Sequence, residues 1–343
     1  MKEHKTYIKR CISLAKNGLG TSYPNPLVGC VIVHEKKIIG EGWHYKAGQA
    51  HAEVHAINAV QNKQLLTEAT IYVSLEPCSH FGKTPPCADL IIQHKIPKVV
   101  VGCIDSYSEV SGRGIKRLRN HGCEVIVGVL EKECLDLNKR FFSFHNKNRP
   151  YIFLKWAETT DGYIAPENNS KITWISNRYS RQLTHKLRAT EQAILIGTNT
   201  AVTDNPKLNT RNWYGISPIR IVLDRELKIP DTHNVFDNYQ KTIVLTSKET
   251  TTRKTNITYE CINFSELISE IIRITYKHNI QSLIVEGGHQ TLQTFINHNC
   301  WDEALCFVGK SNFNKGIKAP KINKNSSKTI CIETDLLKTY SND

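Results

Sequence analysis

The chain has 343 residues, long for one domain and comfortable for two that each bury their own core. With 40% hydrophobic and 22% charged residues it reads as globular rather than disordered, and no apolar run approaches the roughly 20 residues of a membrane helix. The formal charge of +13 suits a nucleic acid or a small phosphorylated ligand, but the lysines are scattered rather than blocked, which favours a general solvated surface.

From the N-terminus, Met1-Lys2-Glu3-His4-Lys5 leads into no apolar signal region, so the expected location is the cytosol. Eleven cysteines, an odd number, then point to free thiols rather than a disulfide framework. Tyr7–Ala15 carries helical spacing (Ile8, Cys11, Ile12, Ala15) and is closed by Gly18 and Gly20. Strands are expected at Val28–Val33 and Lys37–Gly40, a helix at His51–Val60 and a strand at Ile71–Ser74. Helix Ala88–Gln93, strand Val99–Val101, helix Ile115–Asn120 and strand Val125–Val127 follow. The alternation predicts a layered α/β domain with a largely parallel sheet.

The polar stretch His145-Asn146-Lys147-Asn148-Arg149-Pro150 is the candidate boundary, giving domains at 1–146 and 150–343. Beyond it a second α/β series is expected. Its strands are Tyr151–Lys155, Ala193–Ile196, Ile219–Leu223, Ile243–Leu245 and Ser282–Val285; its helices are Tyr179–Arg188, Phe264–Tyr276 and Thr291–Ile296. The Lys-, Asn- and Ser-rich tail from Lys310 to Asp343 receives no assignment.

Chemistry concentrates in two segments of the first half. His51-Ala52-Glu53-Val54-His55-Ala56 opens a helix, and Glu76-Pro77-Cys78 with Cys87 follows a strand. One imidazole and two thiolates make three ligands and leave a fourth tetrahedral position for water, the catalytic arrangement of zinc. His55 or His80 as a fourth ligand would make the site structural instead, but Glu53, two residues after His51, argues for catalysis. Zinc brings the pKa of bound water to about 7, and Glu53 can then shuttle the proton to a ring nitrogen and a departing amine. His-x-Glu followed by Pro-Cys and Cys is the general pattern of zinc deaminases acting on amino-pyrimidines and purines. Eight residues separate the thiols, where nucleic-acid and cytidine deaminases typically have two. The insertion brings His80 and Lys83 towards the metal, which points to a small phosphorylated substrate.

These residues resemble the deaminase half of the bifunctional riboflavin-biosynthesis deaminase/reductase family. The matching stretches are Pro24-Asn25-Pro26-Leu27-Val28-Gly29, His44, 51–56 and 75–87. The resemblance implies a cytidine-deaminase-like α/β/α domain in which His51, Cys78 and Cys87 hold zinc and Glu53 transfers protons. It also implies substrate contacts from Asn25, His44, His80, Lys83 and Asp105. One departure is Tyr107, where the family usually has Asn; Gly112-Arg113-Gly114 follows as the family does.

Read from its residues alone, the second half offers only Val285-Glu286-Gly287-Gly288 between a strand and a helix, a weak phosphate-binding signal. From Tyr151 to about Cys306 the chain is similar to the same family's reductase half, which implies a dihydrofolate-reductase-like α/β fold. Matches include Lys155, Ala157, Asp161-Gly162, Trp174-Ile175, Arg188, Thr200, Asp204-Asn205-Pro206, Leu208, Arg211 and 285–288. They imply NADPH contacts from Ala157, Trp174, Thr200, Asp204, Gly287 and Gly288, and substrate contacts from Lys155, Arg188, Leu208, Arg211 and Glu286. Two arginines suit bidentate phosphate binding. Ile172 and Arg225 stand where the family commonly has Ser, and Arg225 is read as a contact for the 2′-phosphate of NADPH.

The expected function is therefore zinc-dependent deamination of a diaminopyrimidinone ribosyl phosphate, then NADPH reduction of the ribosyl group to ribityl. A small pyrimidine substrate is expected, with no nucleic acid, no membrane and a homo-oligomer allowed. Two alternatives stay open on the sequence: a nucleic-acid base deaminase, and a deaminase-only remnant whose reductase half has lapsed.

Overall fold

The computed structural model describes residues 2–79, 85–105, 112–167, 173–250 and 255–342. It divides between Asn148 and Arg149 into two compact units.

In the first unit α1 (Lys2–Ala15) precedes β1 (Gly29–His34), β2 (Lys37–Trp43), α2 (Ala52–Ala59), β3 (Thr70–Leu75) and α3 (Cys87–Gln93). Then come β4 (Lys98–Cys103), α4 (Arg113–Asn120), β5 (Glu124–Val127), α5 (Glu131–Leu137) and α6 (Lys139–Lys147). The strands form one sheet in the order β2-β1-β3-β4-β5. Side chains alternate across it, as the two-residue period of a strand requires. Cys30, Ile32, Ile71, Val73, Val99 and Val101 meet α2, α3 and α4 through Ala52, Ala56, Ala88, Ile91 and Leu118. Val31, Val33, Tyr72 and Val100 meet α1, α5 and α6 through Ile8, Cys11, Cys134 and Phe142. Each fully buried aliphatic side chain here contributes about 1.5–3 kcal/mol. The result is a three-layered α/β/α unit.

The sheet is mixed rather than largely parallel. β1 runs antiparallel to both β2 and β3, while β3, β4 and β5 are parallel. The cause is a tight β1–β2 hairpin whose central residues Glu35 and Lys36 have φ of 46° and 63°. That double left-handed turn normally uses Asn-Gly, so this sequence gives no hairpin signal.

In the second unit β6 (Tyr151–Glu158), β7 (Tyr163–Pro166), α7 (Arg178–Thr190), β8 (Ala193–Gly197), α8 (Thr198–Asp204) and β9 (Ile219–Leu223) come first. β10 (Thr242–Thr246), β11 (Ile257–Cys261), α9 (Leu267–Lys277), β12 (Ser282–Val285), α10 (His289–Asn297) and β13 (Glu303–Val308) follow, and then β14 (Gly316–Lys318), β15 (Lys328–Ile332) and β16 (Asp335–Ser341). Nine strands make one sheet, β11-β10-β9-β8-β12-β6-β13-β16-β15, parallel from β11 to β13 and antiparallel beyond. Ile152, Leu154, Leu195, Ile221 and Leu245 pack on α9 and α10. Ile194, Ile196, Val222, Val244 and Ile284 face the opposite side with Ala201 of α8. The tail left unassigned by sequence therefore supplies β14, β15 and β16.

Candidate active sites

His51 is the N-cap residue of α2, with extended backbone and no capping hydrogen bond from its side chain, so its imidazole is left for another use. Cys78 lies in the loop after β3, and Cys87 is the first residue of α3. The His51 Nδ1 atom lies 3.5 Å from the Cys78 Sγ and 3.3 Å from the Cys87 Sγ. All three ligand atoms lie within 4.8 Å of one another. A tetrahedral zinc with ordinary Zn–N and Zn–S bonds separates those atoms by about 3.6 Å, so the set fits. His55 is not in the cluster; its ring packs on Tyr45, 4.2 Å between centroids. His80, Lys83 and Tyr107 lie outside the described residues.

The electrostatics point the same way. The Cys87 thiol donates to Cys78 and His51 lies against it, holding the Cys78 thiol down to about 4 despite burial. Cys87 is pushed up in turn, first by that shared hydrogen bond and then by burial. The backbone N–H of Cys87, at the start of α3, also donates to the Cys78 Sγ at 3.3 Å. A divalent cation at the centre is the group that lets both thiols ionise together. Glu53, the second residue of α2, is 3% exposed, and burial followed by the Cys78 charge pushes its carboxyl up to about 6.

Behind the cluster His44 is buried, its Nδ1 3.1 Å from the Ala50 carbonyl. Burial holds its pKa down, so Nδ1–H donates to Ala50 and Nε2 accepts from the Asn25 amide at 3.0 Å. The His44 ring meets His51 edge-on at 5.4 Å. Asp105 is buried just beyond β4. Its backbone N–H donates to Glu76, a residue that sequence reading left without a role. The Glu76 carboxylate also accepts from the N–H groups of Gly112, Gly114 and Ile115, at 3.0–3.3 Å, and so ties the Cys78 loop to the start of α4. This explains Gly112-Arg113-Gly114. Gly112 has φ +73°, and a Cβ at Gly114 would stand 2.1 Å from the Pro77 carbonyl.

The second site gathers at the C-terminal ends of β6, β8 and β12. Strand register places Val285 beside Leu154, so the next residues, Glu286 and Lys155, are neighbours. Arg188, in the last turn of α7, grips Glu286 through two hydrogen bonds of 3.0 and 2.7 Å, and Lys155 Nζ stands 3.7 Å from the same carboxylate. Burial would raise the Glu286 pKa, but the Arg188 and Lys155 charges outweigh it and hold the carboxyl at about 2. Arg211 donates to the Asn209 side chain at 3.0 Å, and Arg188 reaches the Asn209 carbonyl at 3.4 Å. Leu208 is 2% exposed and packs into the core with left-handed backbone (φ 54°), so any ligand contact it makes is through its backbone.

Two glycine-capped helices open beside these groups. Gly197 precedes α8 and Gly288 precedes α10, neither with a side-chain cap, which leaves backbone N–H groups for an anion. A Cβ on Gly287 would press on Thr291, and one on Gly288 would come within 3.5 Å of the Thr200 hydroxyl. This glycine-walled cradle fits a dinucleotide phosphate. Trp174 is 58% exposed, and the Arg181 guanidinium lies 4.6 Å from its ring centre. Ala157 lies on β6 and Asp204 ends α8. Arg225 is exposed, its Nε 3.5 Å from Glu226, and Ile172 lies outside the described residues. Sequence reading also passed over Arg181 and His185, although with Arg188 they share one helical face.

Comparisons with known proteins agree with this division. Residues 1–103 match the cytidine and deoxycytidylate deaminase zinc-binding region, and residues 150–309 match the RibD C-terminal domain. A riboflavin biosynthesis protein RibD of Aquifex aeolicus is 40% identical over 322 residues, covering 91% of this chain and 88% of that one. The Escherichia coli protein of the same name is 32% identical, covering 95% and 90%. A crystal structure of a diaminohydroxyphosphoribosylaminopyrimidine deaminase/5-amino-6-(5-phosphoribosylamino)uracil reductase from Thermotoga maritima superposes with a TM-score of 0.91 at 36% identity, covering 98% of both chains. Acinetobacter baumannii RibD gives 0.90 at 30% identity, also with 98% of each chain covered. These matches span both units, and nothing in them favours a nucleic-acid deaminase or a deaminase-only remnant. The chain belongs to the RibD family of riboflavin-biosynthesis proteins, a zinc deaminase and a reductase in one polypeptide.

Proposed function

We propose that the first unit deaminates a diaminopyrimidinone ribosyl 5′-phosphate and that the second reduces the ribosyl group of the product to ribityl. The observation that carries the first step is the convergence of His51, Cys78 and Cys87 within 4.8 Å, with Glu53 buried beside them. Zinc held by those three would supply the Lewis acid that makes water a nucleophile near neutral pH. Glu53, with its carboxyl raised to about 6, is poised to take the two protons of the attacking water in turn, passing the first to the ring nitrogen and the second to the departing amine. Asn25 and the neutral His44 then orient the pyrimidine, and Asp105 with His80 and Lys83 the ribosyl phosphate.

For the second step NADPH is the reductant and would supply the hydride to C1′ of the opened ribose. Ala157, Trp174, Thr200, Asp204, Gly287 and Gly288 hold it: the exposed indole packs beside the nicotinamide and the uncapped helix starts receive the phosphates. Arg188 and Arg211 take the substrate phosphate, with the backbone of Leu208 beside them. Lys155 and Glu286 form the polar floor under the ribose. Arg225 at the end of β9 meets the 2′-phosphate. A cytosolic location, where the eleven free cysteines stay reduced, completes the reading.

Replacing Arg225 tests the cofactor choice. Arg225→Ala should weaken NADPH binding, measured by fluorescence titration, by at least about tenfold, while leaving NADH binding unchanged. Equal losses for both cofactors would remove Arg225 from the 2′-phosphate site.

A further inference from the structure

Cations outnumber anions at the C-terminal end of α7. Arg181, His185 and Arg188 stand on one helical face at positions i, i+4 and i+7. Arg211 joins them from the segment after α8, where the charges of Arg188 and Arg181 act on it. Arg188 and Lys155 already share the one carboxylate of Glu286. Four cations against one anion leave a surplus of positive charge that an anionic ligand would offset.

His185 is buried in this group, 4% exposed, and its Nδ1 is a buried nitrogen with no hydrogen-bond partner. A buried polar atom left unmatched calls for an explanation, and a ligand atom is one. The ring is held neutral: burial first, then Arg188 and Arg211, bring its pKa down to about 4, against a hydrogen bond between the ring and the Asn209 backbone and the charge of Glu286. The charged groups acting on it are thus Arg188 on its own helix, Arg211 from the loop and Glu286 after β12, while Arg181, which lies over the Trp174 ring, acts on Arg211. The arginines do not titrate near neutrality, and Glu286 is already ionised above about pH 2.

We propose that His185 is the titrating member of an oxyanion subsite shared with Arg181, Arg188 and Arg211, and that it takes a proton from solvent onto Nδ1 when a phosphate-class dianion binds. The dianion offsets the arginine charges that disfavour imidazolium and offers an acceptor for the new N–H. This rests on the reading that Arg188 and Arg211 face a phosphorylated substrate. It adds a pH dependence that arginines alone cannot give: binding takes up a proton, so affinity falls as pH rises.

Sulfate is the probe, because it has the charge and shape of phosphate and no proton that titrates near neutrality. Calorimetric titration of the full chain at about pH 7, in buffers of different ionisation heat, should give a net uptake of a fraction of one proton per sulfate. Affinity should fall between about pH 6 and 8, by at most roughly tenfold per unit. His185→Asn keeps an amide donor near the position of Nδ1 but cannot titrate, so the uptake should vanish and the pH slope flatten. The same uptake in that variant would overturn the role of His185. Arg211→Ala separates the two levels: unchanged sulfate affinity would remove the subsite and the phosphate reading together. Weakened affinity with no proton uptake in the unsubstituted chain would remove His185 alone. Should His185→Asn not fold, the unsubstituted chain with 15N-labelled histidine decides. One ring should pass from neutral to protonated as sulfate is added, and no such change would sink the idea.

Discussion

Glu53 and Glu286 are both buried carboxyls, yet their surroundings drive them apart. Burial and the Cys78 thiolate raise Glu53 to about 6, whereas Arg188 and Lys155 overcome the burial of Glu286 and hold it at about 2. A carboxyl near neutrality can exchange protons; one at 2 is a fixed anion. Glu53→Gln should therefore cut ammonia release at least about 10²-fold while zinc content, by elemental analysis, stays at one per chain. Cys87→Ser should lose the metal instead. For Glu286 the lowered pKa means stability that is fully present above its unfolded value of 4.5 and is lost as pH falls towards 2. That contribution is about 3 kcal/mol. Glu286→Gln should remove this share of the acid limb of the stability curve, read from urea unfolding at each pH, leaving the part due to carboxylates such as Glu41 and Glu260. His51, Glu53, Cys78 and Cys87 were legible in the sequence because metal and proton chemistry restrict residue type and spacing. Glu76 was not, because it works by collecting the backbone N–H groups of Asp105, Gly112, Gly114 and Ile115, a relation that only the folded chain displays.

At the scale of elements, the β1–β2 pair is held between two helices by glycine as much as by its apolar side chains, with Gly29 on β1 against α1 and Gly42 on β2 against α2. A Cβ on Gly29 would stand 2.0 Å from the Cys11 carbonyl of α1, and one on Gly42 would meet the Ala52 carbonyl of α2 at 2.6 Å. Gly29→Ala should destabilise the first unit by about 1–3 kcal/mol, seen as a lower urea midpoint, since α1 has to move off the sheet. Elements with regular apolar spacing, such as α2, β3 and β9, could be read from the sequence. Those set by tertiary pairing could not. β16 alternates too weakly to declare itself and is fixed by its antiparallel ladder with β13. The β1–β2 turn uses Glu35-Lys36, residues without turn preference, and so the antiparallel half of the first sheet was missed.

Over the whole molecule the chain carries two separable chemistries. His51, Cys78 and Cys87 belong to the first unit and the Arg188–Glu286 group to the second, so stripping zinc with a chelator should abolish deamination yet leave reduction of added deaminated substrate intact, followed by NADPH absorbance. Among the described residues no helix is long and apolar enough to cross a membrane. Fold class was legible at this scale, since alternating helix and strand signals repeat on both sides of the 145–150 stretch. The substrate was not legible from charge alone, because the charges behind the +13 are scattered along the sequence, while Arg181, Arg188 and Arg211 come together only on folding. The central claim is that one chain performs deamination and then reduction. The most direct test incubates the zinc-loaded protein with the diaminopyrimidinone ribosyl phosphate, with and without NADPH, and reads the products by mass spectrometry. Without NADPH the product should show one amino group replaced by oxygen; with NADPH it should also gain two hydrogens. An unchanged mass, or a deaminated product that NADPH leaves unaltered, would contradict the account.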